Sequence, residues 1–472
     1  MNTALVSNFR FDKLLTKDYL CVMSAKSKKQ YRAEVTMDSE IKSLQTIFEQ
    51  VKDKRAKNTS HKLSNILMSG YAMFALKHAS LLSFEKQNQV ESANLKTVFG
   101  IERVCSDVQL RSVLDNVDPQ FIRGLFPKKF DLLRKSGILD DFTFKIGSLS
   151  YLIVSCDGVQ HFSSNSVNCA CCLSQTHKNG TVSYHHNMLC AALVHPEKRE
   201  VFIMDVEPIL QQDGHIKQDC ERNAAKRLQE NMSEAYKKYQ KQYLFLFVED
   251  ALYANAPHIE NLELNHYHYI LNVKPDGHKT LFKYIEGKRQ RKELKKFSYS
   301  EKDGKNTILH EFEYVNNVLL CNSSPTTRVN FVHYTQTVTN DKNIVKKTTF
   351  TWITNIKLSE NKLVYIMKAA RARWKIENET FNTLKNLGYH FEHNYGHGEQ
   401  HLSTMFAYLM LLAFYIDQLV QSCCHIFQQI EANIITKIKL WETQKSIFQT
   451  TPCTSMEYLY RRIAWLFLIN IK

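Results

Sequence analysis

Glycine and proline are scarce, with 14 and 8 in a chain of 472 residues. That excludes collagen-like and Pro/Gly-rich low-complexity classes and leaves little room for flexible linkers. No segment repeats with a period of roughly 20–50 residues, which excludes solenoids and propellers. The N-terminal MNTALVSNFRFDKLL has no long apolar core and no small-residue cleavage site, so no signal peptide is expected. The most apolar stretch, MFAYLMLLAFYIDQLV, is interrupted by Asp417 and is expected to fall short of a membrane span. The twelve cysteines suit a reduced, cytosolic-type chain: Cys21, Cys105, Cys321 and Cys453, with the pair Cys423 and Cys424, read as packing residues. Acidic residues fall short of basic ones, 47 against 62, for a net charge of +15. Such an excess fits either a polyanionic partner, most simply nucleic acid, or plain colloidal solubility.

What is present is a 44% hydrophobic, 23% charged composition, long enough for several domains. Residues 1–148 read as a helical N-terminal region, whose basic faces either bind DNA or are simply solvated. SEIKSLQTIFEQVKD has helical apolar spacing after Ser39 as N-cap, HKLSNILMSGYAMFALKHASLLSF continues the pattern, and CSDVQLRSVLDNV repeats it with Ser106 or Asp107 as cap. Basic clusters (Lys26, Lys28, Lys29; Lys52, Lys54, Arg55, Lys57) flank these helices. The character changes at YLIVSCDG, a β-rich run ending on the turn signal Asp157–Gly158. SYHHNMLCAALV and EVFIMDVEPI are further strands, CERNAAKRLQENMSEAYKKYQKQ is a long helix, YLFLFVED is a buried strand ending at Asp250, and HYHYILNVKP is another strand.

This order, three strands, helix, strand, helix, strand, matches an α/β fold of the ribonuclease H-like kind, a mixed sheet with flanking helices. Its first and fourth strands lie side by side, so their terminal carboxylates converge. Residues 149–277 are then the first part of a catalytic core. Residues 278–352 are a β-rich insertion with a basic run from Lys288 to Lys296, either laid against DNA or merely solvated. Residues 353–425 are the second part of the core, and 426–472 a helical C-terminal region.

The stretch RARWKIENETFNTLK (371–385) reads as helix, with Trp374, Glu377, Phe381 and Leu384 on one buried stripe. A carboxylate on such a stripe is costly unless paired or metal-bound. Glu377 either pairs with Arg373 or joins Asp157 and Asp250 around a cation. Asp157 alone is also a turn residue, and Asp250 alone a helix N-cap. Three converging carboxylates suit Mg²⁺ or Mn²⁺, and two such ions about 4 Å apart activate water and stabilise the leaving oxygen of a phosphodiester. Asp219 and Glu221, at a helix start, complement its dipole or support that site.

On LMSGYAMFALKHASLL, CSDVQLR, CDGVQHFSS, QDCERNAAKR, VEDALYANAPHI and RWKIENETFNTLKNLGYHFEHNYGHGEQHL, the chain resembles prokaryotic DDE insertion-sequence transposases with a β insertion before the final Glu. The resemblance covers nearly the whole chain. It implies that Asp157, Asp250 and Glu377 are the catalytic triad, holding two Mg²⁺ or Mn²⁺ ions. It implies cleavage at the element's ends, strand transfer to target DNA, a homo-oligomer on double-stranded DNA, and a cytoplasmic, nucleoid-associated protein without membrane contact. Of the related Tyr-Arg-Glu-Lys signature, Arg373 precedes Glu377 by four, Lys385 follows it by eight, one more than usual, and Ala370 stands where the Tyr would be. The competing classes are a silent DNA-binding protein derived from such an element and a nuclease without strand transfer.

NCACCLSQTHKNGTVSYHH offers a second metal site. Cys169-x-x-Cys172 has zinc half-site spacing and His185 is the expected third ligand of a structural Zn²⁺; reduced cysteines and packing histidines are the alternative. His393, His397 and His401 lie four apart, but Gly396 and Gly398 argue for a loop capping the next helix, with a phosphate contact from His397 as the sharper alternative.

Overall fold

The computed structural model describes residues 26–214 and 217–471; Cys21 and the stretch MNTALVSNFRFDKLL lie outside them. Eleven strands among these residues form one mixed sheet: β1 Phe144–Ile146, β2 Leu149–Ser164, β3 Leu173–Thr176, β4 Val182–Val194, β5 Phe202–Ile209, β6 Leu244–Glu249, β7 His268–Asn272, β8 Lys295–Asp303, β9 Asn306–Cys321, β10 Ser324–Thr339 and β11 Val345–Thr354. The order is β3-β4-β2-β6-β7-β11-β10-β9-β8, with β5 on β4 and β1 on β2. β2–β4 and β4–β5 are antiparallel, while β2–β6 and β6–β7 are parallel. Strands β5-β4-β2-β6-β7 therefore carry the ribonuclease H-like arrangement read from the sequence.

The central strands are continuously apolar because helices cover both faces of the sheet. Residues 151–156 of β2 and nearly all of β4 are buried. The edge strand β8 is mostly exposed and lysine-rich, which discourages pairing with another chain.

The insertion does not stand apart from this sheet. It opens with a helix, Lys279–Gln290, where only strands were expected, and β11 pairs with β7 through Trp352↔Asn272 and Thr354↔Ile270. The basic run spans the end of that helix and the start of β8. Four of its cations are engaged with acids: Lys288 and Arg291 with Glu293, Arg289 and Lys296 with Glu313.

The long apolar helix is Leu402–Cys423, 22 residues. Contrary to the expectation, it is long and apolar enough to cross a membrane, but 94% of its apolar window is buried within the protein. It packs between the helix Leu63–Ala75 and β5. Gly70 makes that approach possible, since a Cβ there would lie 2.9 Å from Leu409 Cδ1.

The predicted continuous helix over residues 61–84 is broken. Leu63–Ala75 ends, Lys77 turns at φ 59°, and a second helix runs Leu81–Phe99. The break points Lys77 inward, where its Nζ lies 2.6 Å from Asp417 Oδ2 and 4.4 Å from the ring centres of Tyr389 and Trp441. The helix Met37–Glu49 starts at Thr36, with Ser39 completing a capping box rather than serving as the N-cap. Ser106 caps Asp107–Asp115 as expected. The last helix, Met456–Leu466, packs back onto Met37–Glu49, whose Asp38 accepts hydrogen bonds from Met456 and Glu457 N–H at 2.7 and 2.9 Å. Both terminal regions thus join one helical body.

Candidate active site and a cysteine–histidine cluster

Strand β2 does not end at Asp157–Gly158. It continues to Ser164 because its antiparallel partner continues beside it, with Asp157↔Cys190 and Gly158↔Leu189 in register. On the other side the parallel partner β6 stops at Glu249, and the last pair is Ser155↔Val248. Asp157 and Asp250 each lie two residues past that pair. They occupy the same level of the sheet, where β2 has lost one neighbour and a gap opens. Asp250 is not a helix N-cap. Its Oδ1 accepts the Leu252 N–H at 2.8 Å in a turn, and Asn255 caps the helix Ala256–Leu264.

Glu377 arrives from the helix that crosses this gap. Ser155 Oγ donates to the Arg373 carbonyl at 3.0 Å and ties the crossing to β2. Residues Ile376–Phe381 form a π-helical segment between Glu360–Arg371 and Asn382–Asn386. The wider turn shifts the buried stripe to Arg373, Ile376, Thr380, Phe381 and Leu384. Trp374, expected inside, is 46% exposed and stacks under the Arg373 guanidinium at 4.7 Å. Glu377 consequently lies at the stripe's border, not its middle, and its carboxylate faces the gap.

There Arg373 Nη1 lies 2.8 Å from Glu377 Oε1 and 3.6 Å from Asp157 Oδ2. A buried guanidinium bridges two of the three predicted carboxylates, and its Nε has no hydrogen-bond partner among the described residues. Burial pushes the Asp157 carboxyl up to about 7; Arg373 opposes this and Glu377 adds to it. The site thus holds more negative charge than one arginine satisfies, and its donors are hard oxygens. Asp157 and Glu377 meet through Arg373, Asp250 lies at the same sheet level on the neighbouring strand, and their hard oxygens are the donor type that a divalent cation takes. The helix Lys217–Tyr236 also brings Glu221 against β2: a Cβ at Gly158 would meet its Oε1 at 3.5 Å, on the face opposite the Asp157 side chain. The side chain of Asp219 lies outside the described residues.

Lys385 lies on the following helix and pairs with Glu392 at 3.1 Å near the surface. His397 is not placed for a phosphate. It joins Cys169, Cys172 and His186, whose ligand atoms all lie within 4.8 Å of one another. His185, the expected ligand, is outside this cluster because neighbouring strand residues face opposite sides of the sheet. His186 could have been preferred only by knowing which face of β4 turns towards the Cys169–Cys172 turn.

His397 lies in a loop, as its flanking glycines suggested, and the cap of the following helix comes from a distant residue. The Asp115 carboxylate accepts N–H groups of Glu399, Gln400, His401 and Leu402 at 2.8–3.0 Å. Partial burial would raise its pKa, but these four donors outweigh that and lower it. Gly398 is required beside it, since its φ is 68° and a Cβ would collide with the Asp115 carboxylate. Asp115→Ala should cost roughly 1–2 kcal/mol, the upper range for a lost cap, as measured by urea unfolding. Because the folded pKa is depressed, this contribution is present above the unfolded carboxyl pKa and lost as pH falls through the folded value. Equal stability of the variant and intact chain near pH 7 would show the cap to be idle.

A family model described as transposase DDE domain matches residues 138–415, more than half of the chain. No curated protein matches the chain.

Proposed function

The chain belongs to the transposase DDE domain family, and from that premise we propose that it cuts DNA at the ends of an insertion element and joins them to target DNA, with Asp157, Asp250 and Glu377 as the catalytic carboxylates. The observation that carries this is the placement of Asp157 and Asp250 at one level of the sheet, with Glu377 drawn to Asp157 through Arg373.

DDE domains generally work with divalent ions, and here Mg²⁺ or Mn²⁺, as one or two ions on these three carboxylates, would supply an activated water and charge stabilisation for phosphodiester cleavage. The protein's own part is positional. β2 and the end of β6 fix two carboxylates on the rigid sheet, Ser155 locks the crossing helix, and the π-helical turn would aim Glu377 into the gap. In cleavage, water oxygen bonds to phosphorus and the 3′ oxygen leaves as a hydroxyl. In joining, that hydroxyl attacks a target phosphate and displaces its 3′ oxygen. Arg373 neutralises part of the acid cluster, and Lys385, on the next turns, would exchange Glu392 for the DNA backbone. The flanking helical region and the excess of positive charge fit double-stranded DNA as partner.

The test uses a donor plasmid carrying the gene with its flanking DNA, purified protein and Mg²⁺. Cleaved ends bearing 3′-OH, together with joined products, are expected. Cutting without joining would make the protein a nuclease, and binding without cutting a silent DNA-binding relic.

A further inference from the structure

We propose that Cys169, Cys172, His186 and His397 form a closed structural zinc site that staples the β3–β4 hairpin to the chain entering the helix Leu402–Cys423. The four residues come from three separate places: the turn before β3, strand β4, and a loop 211 positions beyond His186. The Sγ atoms lie 3.8 Å apart. His186 Nε2 lies 3.5 and 3.3 Å from the Cys169 and Cys172 sulfurs, and His397 Nε2 lies 3.3 Å from Cys172 Sγ. The two Nε2 atoms are 3.0 Å apart. Tetrahedral bonds of about 2.3 Å to sulfur and 2.0–2.1 Å to nitrogen put ligand atoms roughly 3.3–3.8 Å apart. The cluster has that shape and is slightly contracted between the imidazoles.

The surroundings favour ligation over packing. His397 Nδ1 lies 2.5 Å from the Gly398 carbonyl, which accepts its proton and leaves the Nε2 lone pair facing the cluster. His186 Nε2 faces the same point, within 3.5 Å of both sulfurs and of His397 Nε2. Two Nε2 atoms facing each other over 3.0 Å need a hydrogen or a cation between them. The Cys169 N–H points at Cys172 Sγ at 3.4 Å and supports negative charge on that sulfur. Phe162 covers the group, with its ring centre 4.6 Å from that of His397. Two sulfurs and two nitrogens select zinc over the hard ions suited to the carboxylates, and four protein ligands leave no open position, which marks the site as structural.

The staple has a consequence for the carboxylates. Cys169 and Cys172 follow the strand that carries Asp157, and His397 follows Glu377 by one short helix and a loop. Closing this link fixes the two halves of the core beyond the site itself. The inference does not depend on the proposed reaction.

Metal analysis of the intact chain, purified without chelator, should give about one zinc ion per chain. Cys172→Ser and His397→Ala should lose it, and His185→Ala should keep it. Replacing the metal with Co²⁺ in the intact chain should give the intense visible bands of a tetrahedral site and thiolate charge transfer in the near ultraviolet, a readout that needs no variant to fold. Zinc retained in His397→Ala or Cys172→Ser, zinc lost in His185→Ala, or a protein with neither zinc nor a Co²⁺ spectrum overturns the proposal.

Discussion

Glu377→Gln is expected to lower the rate of Mg²⁺-dependent end cleavage by on the order of 10³-fold, since a metal-held carboxylate contributes several kcal/mol of charge stabilisation. The substitution keeps the side chain's shape and removes its charge. Glu377 lies at the rim of the buried stripe, and the buried Arg373 guanidinium keeps Asp157 at 3.6 Å when Glu377 loses its charge, so the fold should persist. DNA binding measured in Ca²⁺ should persist, which separates chemistry from affinity. The same loss is expected for Asp157→Asn and Asp250→Asn, with no additivity among the three because they act on one charge. Equal cleavage by intact protein and Glu377→Gln would reduce Glu377 to the partner of Arg373.

Asp417→Ala is expected to destabilise the fold by about 3–5 kcal/mol, the cost of breaking a buried ion pair from one side. Lys77 and Asp417 have side-chain exposures of 1% and 5%, and the variant leaves the Lys77 ammonium without its anion. Tyr389 loses the acceptor of its hydroxyl at the same time. Three segments far apart in sequence meet at this point: the break after Leu63–Ala75, the turn after the catalytic helix, and Leu402–Cys423. The variant should therefore loosen the union of the N-terminal helical body with the core, seen as a lower midpoint in urea. Pairing it with Lys77→Met should recover much of the loss, because two apolar groups of similar volume remove the uncompensated charge. Failure of the double variant to recover would assign the cost to packing.

The strands that position the carboxylates were legible because each central strand is a short apolar run with clear ends, and their order defines the sheet. Asp157 and Asp250 were singled out for that reason. The continuation of β2 through Asp157–Gly158 was not legible, since its cause is the register with β4, a tertiary partner. The sequence placed Glu377 on a helix, but regular helical spacing buried Trp374 and put Glu377 mid-stripe; a π-helical turn leaves no mark in apolar periodicity. Cys169 and Cys172 announced themselves by spacing, whereas His397 and Asp115 reach their partners across more than two hundred residues. Contacts of that range carry no local signal.

The claim at the centre of this account is that Asp157, Asp250 and Glu377 hold a divalent cation together. Its most direct test is Mn²⁺ binding to the zinc-loaded protein, followed by electron paramagnetic resonance. The intact chain should bind Mn²⁺, and each of Asp157→Asn, Asp250→Asn and Glu377→Gln should weaken binding by more than about tenfold, the least expected even for an outer-shell partner. Unchanged Mn²⁺ affinity in all three variants would contradict it.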